Sequence, residues 1–250
     1  MEKTEKKENR YGLLGKDISY SFSQGYFAKK FVELKLNDHS YENFDIPEIS
    51  EFKALVTQRH LKGLNVTIPY KEQVITYLDD LDADAKKIGA VNTIKFTKKG
   101  LKGYNTDAYG FQKSIEPFLK PHHKKALILG TGGASKAICF VLERLGIEYT
   151  YVSRTKKEHQ FTYKELSKEV MLAHSIIVNC TPQGTFPNIN DKPDLPYQHL
   201  NEKHLLFDLI YNPDKTAFLI EGESKGTKIC NGLKMLQLQA EKSWEIWNST

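Results

Sequence analysis

Lys71 closes the stretch Lys62-Gly63-Leu64-Asn65-Val66-Thr67-Ile68-Pro69-Tyr70-Lys71. The alternation of Leu64, Val66 and Ile68 reads as a strand, and Pro69 stops it because proline has no N–H to give a sheet. Apolar spacing over 70–78 predicts a helix that begins at this junction. A lysine at the positive end of a helix dipole is poorly placed unless an anion joins it; taken alone, Lys71 reads as a solvated surface lysine, and the rest of the chain changes that. Asn65 and Thr67 share the junction. Ser21 and Ser23 precede a predicted helix over 24–36. Ser23 suits an N-cap, and hydroxyls beside helix-start N–H groups also make a carboxylate site. Asp107 opens a predicted helix over 108–119, where an early aspartate can merely favour the N-terminus.

A second kind of chemistry lies further along. A buried strand over 124–129 runs into Gly130-Thr131-Gly132-Gly133-Ala134-Ser135 and an apolar helix over 136–145. Strand, glycine turn and helix form the context of a dinucleotide fingerprint, in which backbone N–H groups approach a pyrophosphate. Ser135 stands where a third glycine is usual. The next strand, over 148–152, ends in Ser153-Arg154-Thr155-Lys156-Lys157, where NAD enzymes usually carry an acid for the ribose hydroxyls. An acid there repels a 2′-phosphate, whereas an arginine forms charge-assisted hydrogen bonds to it. The pattern points to NADP(H); the alternative is a solvated basic turn.

The elements that must hold these groups alternate. Strands at 11–15, 40–44 and 61–68 and helices at 24–36, 46–57 and 70–78 argue for an α/β layer of mainly parallel strands. A loop with a short helix over 79–87, a strand over 88–96, a hairpin turn at Lys98-Lys99-Gly100 and a return over 101–104 follow. Pro117 and Pro121 bracket a linker. Beyond the glycine turn, strands over 175–180, 205–210 and 227–229 and a helix over 216–222 complete a doubly wound unit. Tyr211-Asn212-Pro213 lies at the strand edge where ligands sit. The stretch from Thr181 to about residue 202, rich in Pro, Asn and Asp, is of the irregular kind that is functional or mobile. A last helix over 233–247 has an apolar stripe suited to packing back on the N-terminal domain.

Composition sets the outer bounds. The 250 residues are 40% hydrophobic and 27% charged, with a net charge of +5. That mild excess suits an anionic ligand, and no cluster of Lys and Arg interleaved with aromatics argues for nucleic acid. Cys139, Cys180 and Cys230 lie far apart with no metal-site pattern, as for reduced thiols in a cytoplasmic protein. No apolar run approaches the roughly 18 residues of a membrane span. Residues 1–10 are charged throughout and lack a signal peptide's apolar centre.

In order and spacing, Tyr11-Gly12-Leu13-Leu14-Gly15-Lys16, Ser21-Phe22-Ser23, Asn65 to Lys71, Gly89-Ala90-Val91-Asn92-Thr93 and Asn105-Thr106-Asp107 resemble the shikimate dehydrogenase family. So do Gly130 to Ala134, Ser153-Arg154-Thr155, Asn179-Cys180-Thr181-Pro182 and the closing Asn231-Gly232-Leu233 to Gln239-Ala240. The resemblance implies NADP-dependent reduction of 3-dehydroshikimate to shikimate in aromatic amino-acid biosynthesis. It implies a substrate domain over 11–110, completed by 231–250, facing a Rossmann domain over 111–230 across a cleft. It implies Lys71 and Asp107 as the catalytic pair, with Ser21 and Ser23 on the substrate carboxylate, assisted by Tyr211. Asn65, Thr67, Asn92 and Gln239 would hold ring hydroxyls. Gly130, Gly132, Gly133, Ala134, Ser153, Arg154, Thr155 and Gly232 would hold the cofactor. Tyr20 stands where the family commonly has histidine, and Gln24 where it has proline.

Two other readings compete: a quinate/shikimate dehydrogenase using NAD, and a non-catalytic module that binds dinucleotide or shikimate-like ligands. Arg154 argues against the cofactor of the first, and the presence of both Lys71 and Asp107 argues against the second. A monomer and a homodimer are equally compatible with the sequence.

Overall fold

A computed structural model describes residues 9–19, 21–57 and 60–249; most of the charged 1–10 segment, and Tyr20, lie outside the described residues. The chain divides into two units, residues 1–106 with 240–250, and residues 107–239.

In the first unit, β1 (Asn9–Gly15) is buried along its last five residues, as a strand between two neighbours must be. It is followed by α1 (Phe22–Glu33), β2 (His39–Asp45), α2 (Phe52–Val56), β3 (Leu61–Val66), β4 (Asp80–Leu81), α3 (Ala83–Ile88), β5 (Thr93–Thr97) and β6 (Gly100–Tyr104). The sheet order is β2-β1-β3-β5-β6-β4. β1 runs parallel to β2 and β3, β4 runs parallel to β6, and β5 is antiparallel to both β3 and β6. One core cluster gathers Leu14, Phe52, Leu64, Val74 and Ile94. Another gathers Tyr11, Phe27, Phe31 and Tyr41 with Ala240 and Trp247 from the end of the chain. The Trp247 indole N–H donates to Ile94 O at 3.0 Å, which fixes the returning segment to β5.

Several expected boundaries move, each for a local reason. The helix expected over 70–78 is a turn followed by a 3-10 helix, Gln73–Tyr77. Tyr70 is buried, with its hydroxyl on Ile46 O at 2.7 Å, and Val74, Ile75 and Thr76 are β-branched, which disfavours α-helix. The helix expected over 46–57 shrinks to a 3-10 turn, Ile49–Glu51, and α2; Pro47 holds Ile46 out of the helical region. The strand expected over 88–96 starts only at Thr93, because Ile88 ends α3 and Gly89 caps it at φ 69°.

The second unit opens with α4 (Thr106–Ile115) and continues with β7 (Lys125–Leu129), α5 (Gly133–Arg144), β8 (Glu148–Ser153), β9 (Gln160–Thr162), α6 (Lys168–Ala173), β10 (Ile176–Asn179), β11 (Leu205–Asp208), α7 (Ala217–Ser224), β12 (Lys228–Cys230) and the first half of α8 (Leu233–Asn248), whose residues from Ala240 on belong to the first unit. Its sheet is parallel throughout, in the order β12-β11-β10-β7-β8-β9. That is the doubly wound order, and it reverses between β7 and β10. β9 and α6 are too short for periodicity to reveal. The Pro-rich stretch after Thr181 is not simply a functional or mobile loop: Leu195, Tyr197 and Leu200 are buried in the core of the unit. No described helix is long and apolar enough to cross a membrane.

Candidate active site

The loop after β1 is pinned from β2. Asp45 accepts from the backbone N–H groups of Asp17 and Ile18 at 3.0 and 3.1 Å, and Asn43 donates to Ile18 O at 3.1 Å. This sets where α1 begins. The cap is Ser21 rather than Ser23: Ser21 Oγ accepts from Ser23 N–H at 3.2 Å. Ser23 is the second residue of the helix, buried, and its side chain is hydrogen-bonded to the phenol of Tyr41. Burial pushes that phenol well above its ordinary range, so it stays neutral and donates to Asn65 Oδ1 at 2.8 Å.

Asn65 Nδ2 in turn points at Ser243 Oγ, Thr93 Oγ1 and Asn92 O at 2.9, 3.2 and 3.3 Å. Both amide hydrogens of Asn65 therefore have acceptors inside the protein, and one lone pair of Oδ1 remains for a ligand. Asn92 accepts from Thr106 N–H at 2.7 Å and donates to Thr106 Oγ1 at 3.0 Å. Thr67 holds the end of β3 to β1 through its N–H on Leu14 O at 2.9 Å. The first unit thus brings Ser23, Asn65 and Asn92 into one buried network of neutral groups. Tyr41, Thr93, Thr106 and Ser243 complete it, and none was singled out from the sequence. A serine inside the apolar stripe of α8 is the one signal that could have found Ser243.

Lys71 lies in the turn after β3, half-buried, and its carbonyl accepts from Val91 N–H at 2.8 Å. It does not open an α-helix, so the dipole expected behind it is absent. Val91 and Asn92 together fix the backbone of Lys71 and of Thr106, the residue before Asp107.

In the second unit Asp107 is buried in the first turn of α4. Gly110, one turn on and on the same face, lets α8 approach: a Cβ there would stand 2.6 Å from Met235 O and 3.2 Å from Gln239 Cβ. Gln239 is buried, with Nε2 on Leu236 O at 2.9 Å. Tyr211 is half-buried just past β11, and Gly232 donates to Ile210 O at 3.0 Å.

A cavity of about 440 Å³ opens at the switch point, between the ends of β7, β8 and β10. Gly130, Thr131 and Gly132 line one side, Ser153, Arg154, Thr155 and Lys157 another, and Thr181, Pro182 and Gln183 a third. Gly130 sits at φ 93° with Thr181 closing on it, a backbone that only glycine adopts freely. Gly132 is the N-cap of α5 and brings no side chain to its first N–H groups; Gly133 and Ala134 form the first turn. Such a terminus takes an anion. Ser135, in place of a third glycine, is buried and donates to Gly132 O at 2.7 Å, so it ties the first turn to the loop. Arg154 and Lys157 are exposed cations on the lining, and no carboxylate lines the cavity. Lys156 contributes less than the basic run suggested, because it pairs with Glu165 at 2.6 Å; that contact and the Thr162 hydrogen bonds hold the Glu165 carboxyl down at about 2. The cavity therefore fits a dinucleotide with an additional phosphate on its ribose.

Residues 13–94 match the family model of the shikimate dehydrogenase substrate binding domain. The shikimate dehydrogenase (NADP(+)) of Clostridium beijerinckii is 37% identical, over 95% of this chain and 91% of the relative. Among solved structures, shikimate dehydrogenase 1 from Peptoclostridium difficile superposes with a TM-score of 0.84 at 40% identity, covering 97% of this chain and 92% of that one. The Thermus thermophilus enzyme in complex with NADP(H) and shikimate superposes with a TM-score of 0.84 at 32% identity, covering 96% and 93%.

Proposed function

The chain belongs to the shikimate dehydrogenase family, and from that membership we propose that it catalyses the reversible NADP-dependent reduction of 3-dehydroshikimate to shikimate. The observation that supports this reading best is the pairing of two dissimilar sites. One is a buried network of neutral hydrogen-bonding groups suited to a polyol ring; the other is a glycine-lined cavity carrying Arg154 and Lys157 with no acid. A polyhydroxylated carboxylate and a 2′-phosphorylated dinucleotide match the two in kind.

NADPH, when bound, supplies the hydride that the carbonyl carbon accepts. Gly130, Gly132, Gly133 and Ala134 would hold its diphosphate side, Ser153, Arg154 and Thr155 its 2′-phosphate, and Gly232, outside that cavity, a further part of the cofactor. The chain's own residues do the rest. Ser21 and Ser23 bind the ring carboxylate, with Tyr211 assisting. Thr67, Asn92, Gln239 and the remaining lone pair of Asn65 orient ring hydroxyls. Lys71 gives its ammonium proton to the carbonyl oxygen as charge develops there, and its positive charge stabilises the forming alkoxide. In the oxidative direction it takes the hydroxyl proton. Asp107 orients the ammonium and holds a neighbouring ring hydroxyl. Residues 11–110 with 231–250 would serve the substrate, and residues 111–230 the cofactor.

The test is spectrophotometric, with shikimate or quinate as substrate and NADP or NAD as oxidant. Turnover with shikimate and NADP alone is the expected result; turnover with quinate or with NAD moves the protein to the quinate/shikimate reading. Lys71→Ala should lose roughly 10²- to 10⁴-fold in kcat with NADP affinity nearly unchanged, because its interaction is made in the transition state. A variant with near-normal turnover removes Lys71 from the mechanism.

A further inference from the structure

Asp208 ends β11 with no accessible surface, and the proton transfer makes no use of it. Its carboxylate is met by three donors. Asn179 Nδ2 and Ile210 N–H each reach Oδ1 at 3.1 Å, and Thr216 Oγ1 reaches Oδ2 at 2.6 Å. Each donor belongs to a different piece of the sheet edge. Asn179 ends β10, and its side-chain oxygen Oδ1 accepts from Thr181 N–H at 3.0 Å and from Thr181 Oγ1 at 2.7 Å. Thr181 lines the nucleotide cavity. Ile210 precedes Tyr211, and Thr216 caps α7.

We propose that ionised Asp208 is a positioning residue for the cofactor site, holding the loop after β10 in its nucleotide-binding form through Asn179 and fixing the turn after β11 at the same time. This deepens the NADP-binding reading and rests on it. A carboxylate accepts at both oxygens, and charge-assisted hydrogen bonds are roughly twice as strong as neutral ones. Adding a proton at Oδ2 makes Thr216 the acceptor and leaves Oδ1 a neutral oxygen, so the two N–H contacts weaken while the packing stays.

The site is poised for that change. Burial pushes the Asp208 carboxyl up to about 6, against the opposing pull of Thr216, Ile210 and Asn179. The titratable groups that sense Asp208 are the Cys180 thiol and the Tyr197 phenol, both raised by burial and neutral. Because the folded-state value lies above the ordinary one, folding takes up a proton between about pH 4 and 6. The contribution of this group to stability therefore falls as pH rises through that window. The charge is held at a cost to the fold, as expected of a group kept for its effect on a ligand site.

The experiment compares NADP affinity of the wild-type protein and Asp208→Asn across pH 5–8 by calorimetry. The amide reproduces the protonated acid, with its NH₂ facing Thr216. At pH 7.5 the variant should bind NADP about fivefold more weakly, the loss expected when two buried hydrogen bonds lose their charge. The ratio of the two affinities should close toward one as pH falls to 5. Any titration of the ligand's own phosphate is common to both proteins and cancels. At pH 7.5 the variant should also unfold no earlier on heating than wild type. Equal affinities at pH 7.5, a ratio that does not change with pH, or a variant that is less stable or does not fold would each overturn the proposal. A wild-type protein that binds no NADP would instead overturn the functional reading on which it rests.

Discussion

In the proposed reading, Arg154 carries the choice between the two dinucleotides. It lies exposed on the lining of the cavity, with the Tyr163 phenol sensing its charge, and Lys156 beside it is spent on Glu165. A hydrogen bond to a charged group contributes about 1.5–3 kcal/mol. Arg154→Gln should therefore raise KM for NADP about ten- to a hundredfold, with kcat and the weaker use of NAD little changed. Steady-state kinetics with both cofactors measures this, and an equal loss with NAD would show that the arginine serves the loop rather than the phosphate. Such a residue is legible from sequence because its neighbours in space are its neighbours in the chain: the glycine turn and Ser153-Arg154-Thr155 each act within a few positions. Tyr41 and Ser243 were not legible. Their bonds to Asn65 span 24 and 178 residues, and beyond the place of Ser243 in an apolar stripe nothing local points to either partner. The same distance hid the altered place of Asn65, whose donors are committed inside the protein.

Elements were readable in kind where periodicity had room to act. Apart from β4, β9 and the late start of β5, the strands of both sheets lie within a few residues of their expected places, as do α1, α5 and α8, whereas the short pieces did not declare themselves. Residues 70–78 carry a helix-like spacing, yet Tyr70 is held to Ile46 O and the β-branched run Val74-Ile75-Thr76 settles into a 3-10 turn. The apolar stripe of α8 was legible, and the structure shows what it does. Trp247 packs with ring centroids 4.9 Å from Tyr11 and 5.4 Å from Phe27, and it bonds Ile94 O. One turn earlier on the same face is Ser243. Trp247→Ala should cost about 3–5 kcal/mol of stability, read as a lower urea midpoint, and should raise KM for shikimate through Ser243 and Asn65. Trp247→Phe, which keeps a ring but loses the indole hydrogen bond to Ile94 O, should lose about 0.5–1.5 kcal/mol. If the alanine variant unfolds like wild type, the returning helix is not anchored by this residue.

At the scale of the molecule, each proposed binding surface is built mainly from one unit's own residues. The cavity runs from Gly130 to Gln183 inside residues 107–239, and the Ser23–Tyr41–Asn65–Ser243 network lies wholly within residues 1–106 and 240–250. Chain order obscured that division. Pro117 and Pro121 resemble a linker but lie inside the second unit, and α8 passes from one unit to the other within a single helix. Ligand binding to the native state alone stabilises by RT ln(1 + [L]/Kd), about 2.7 kcal/mol at a hundredfold excess over Kd. NADP should deliver that stabilisation to the second unit. In hydrogen exchange its protection should fall on the first turn of α5 and on the loops after β8 and β10. Shikimate should instead slow exchange at Ser23, Thr67 and Asn92. The neutral network gives a dinucleotide no phosphate-binding cation, whereas the glycine-lined cavity carries Arg154 and Lys157, so the two footprints should differ. Protection of 21–23 and 65–67 by NADP alone would contradict the assignment of the two surfaces. A shikimate footprint confined to the second unit would contradict it equally.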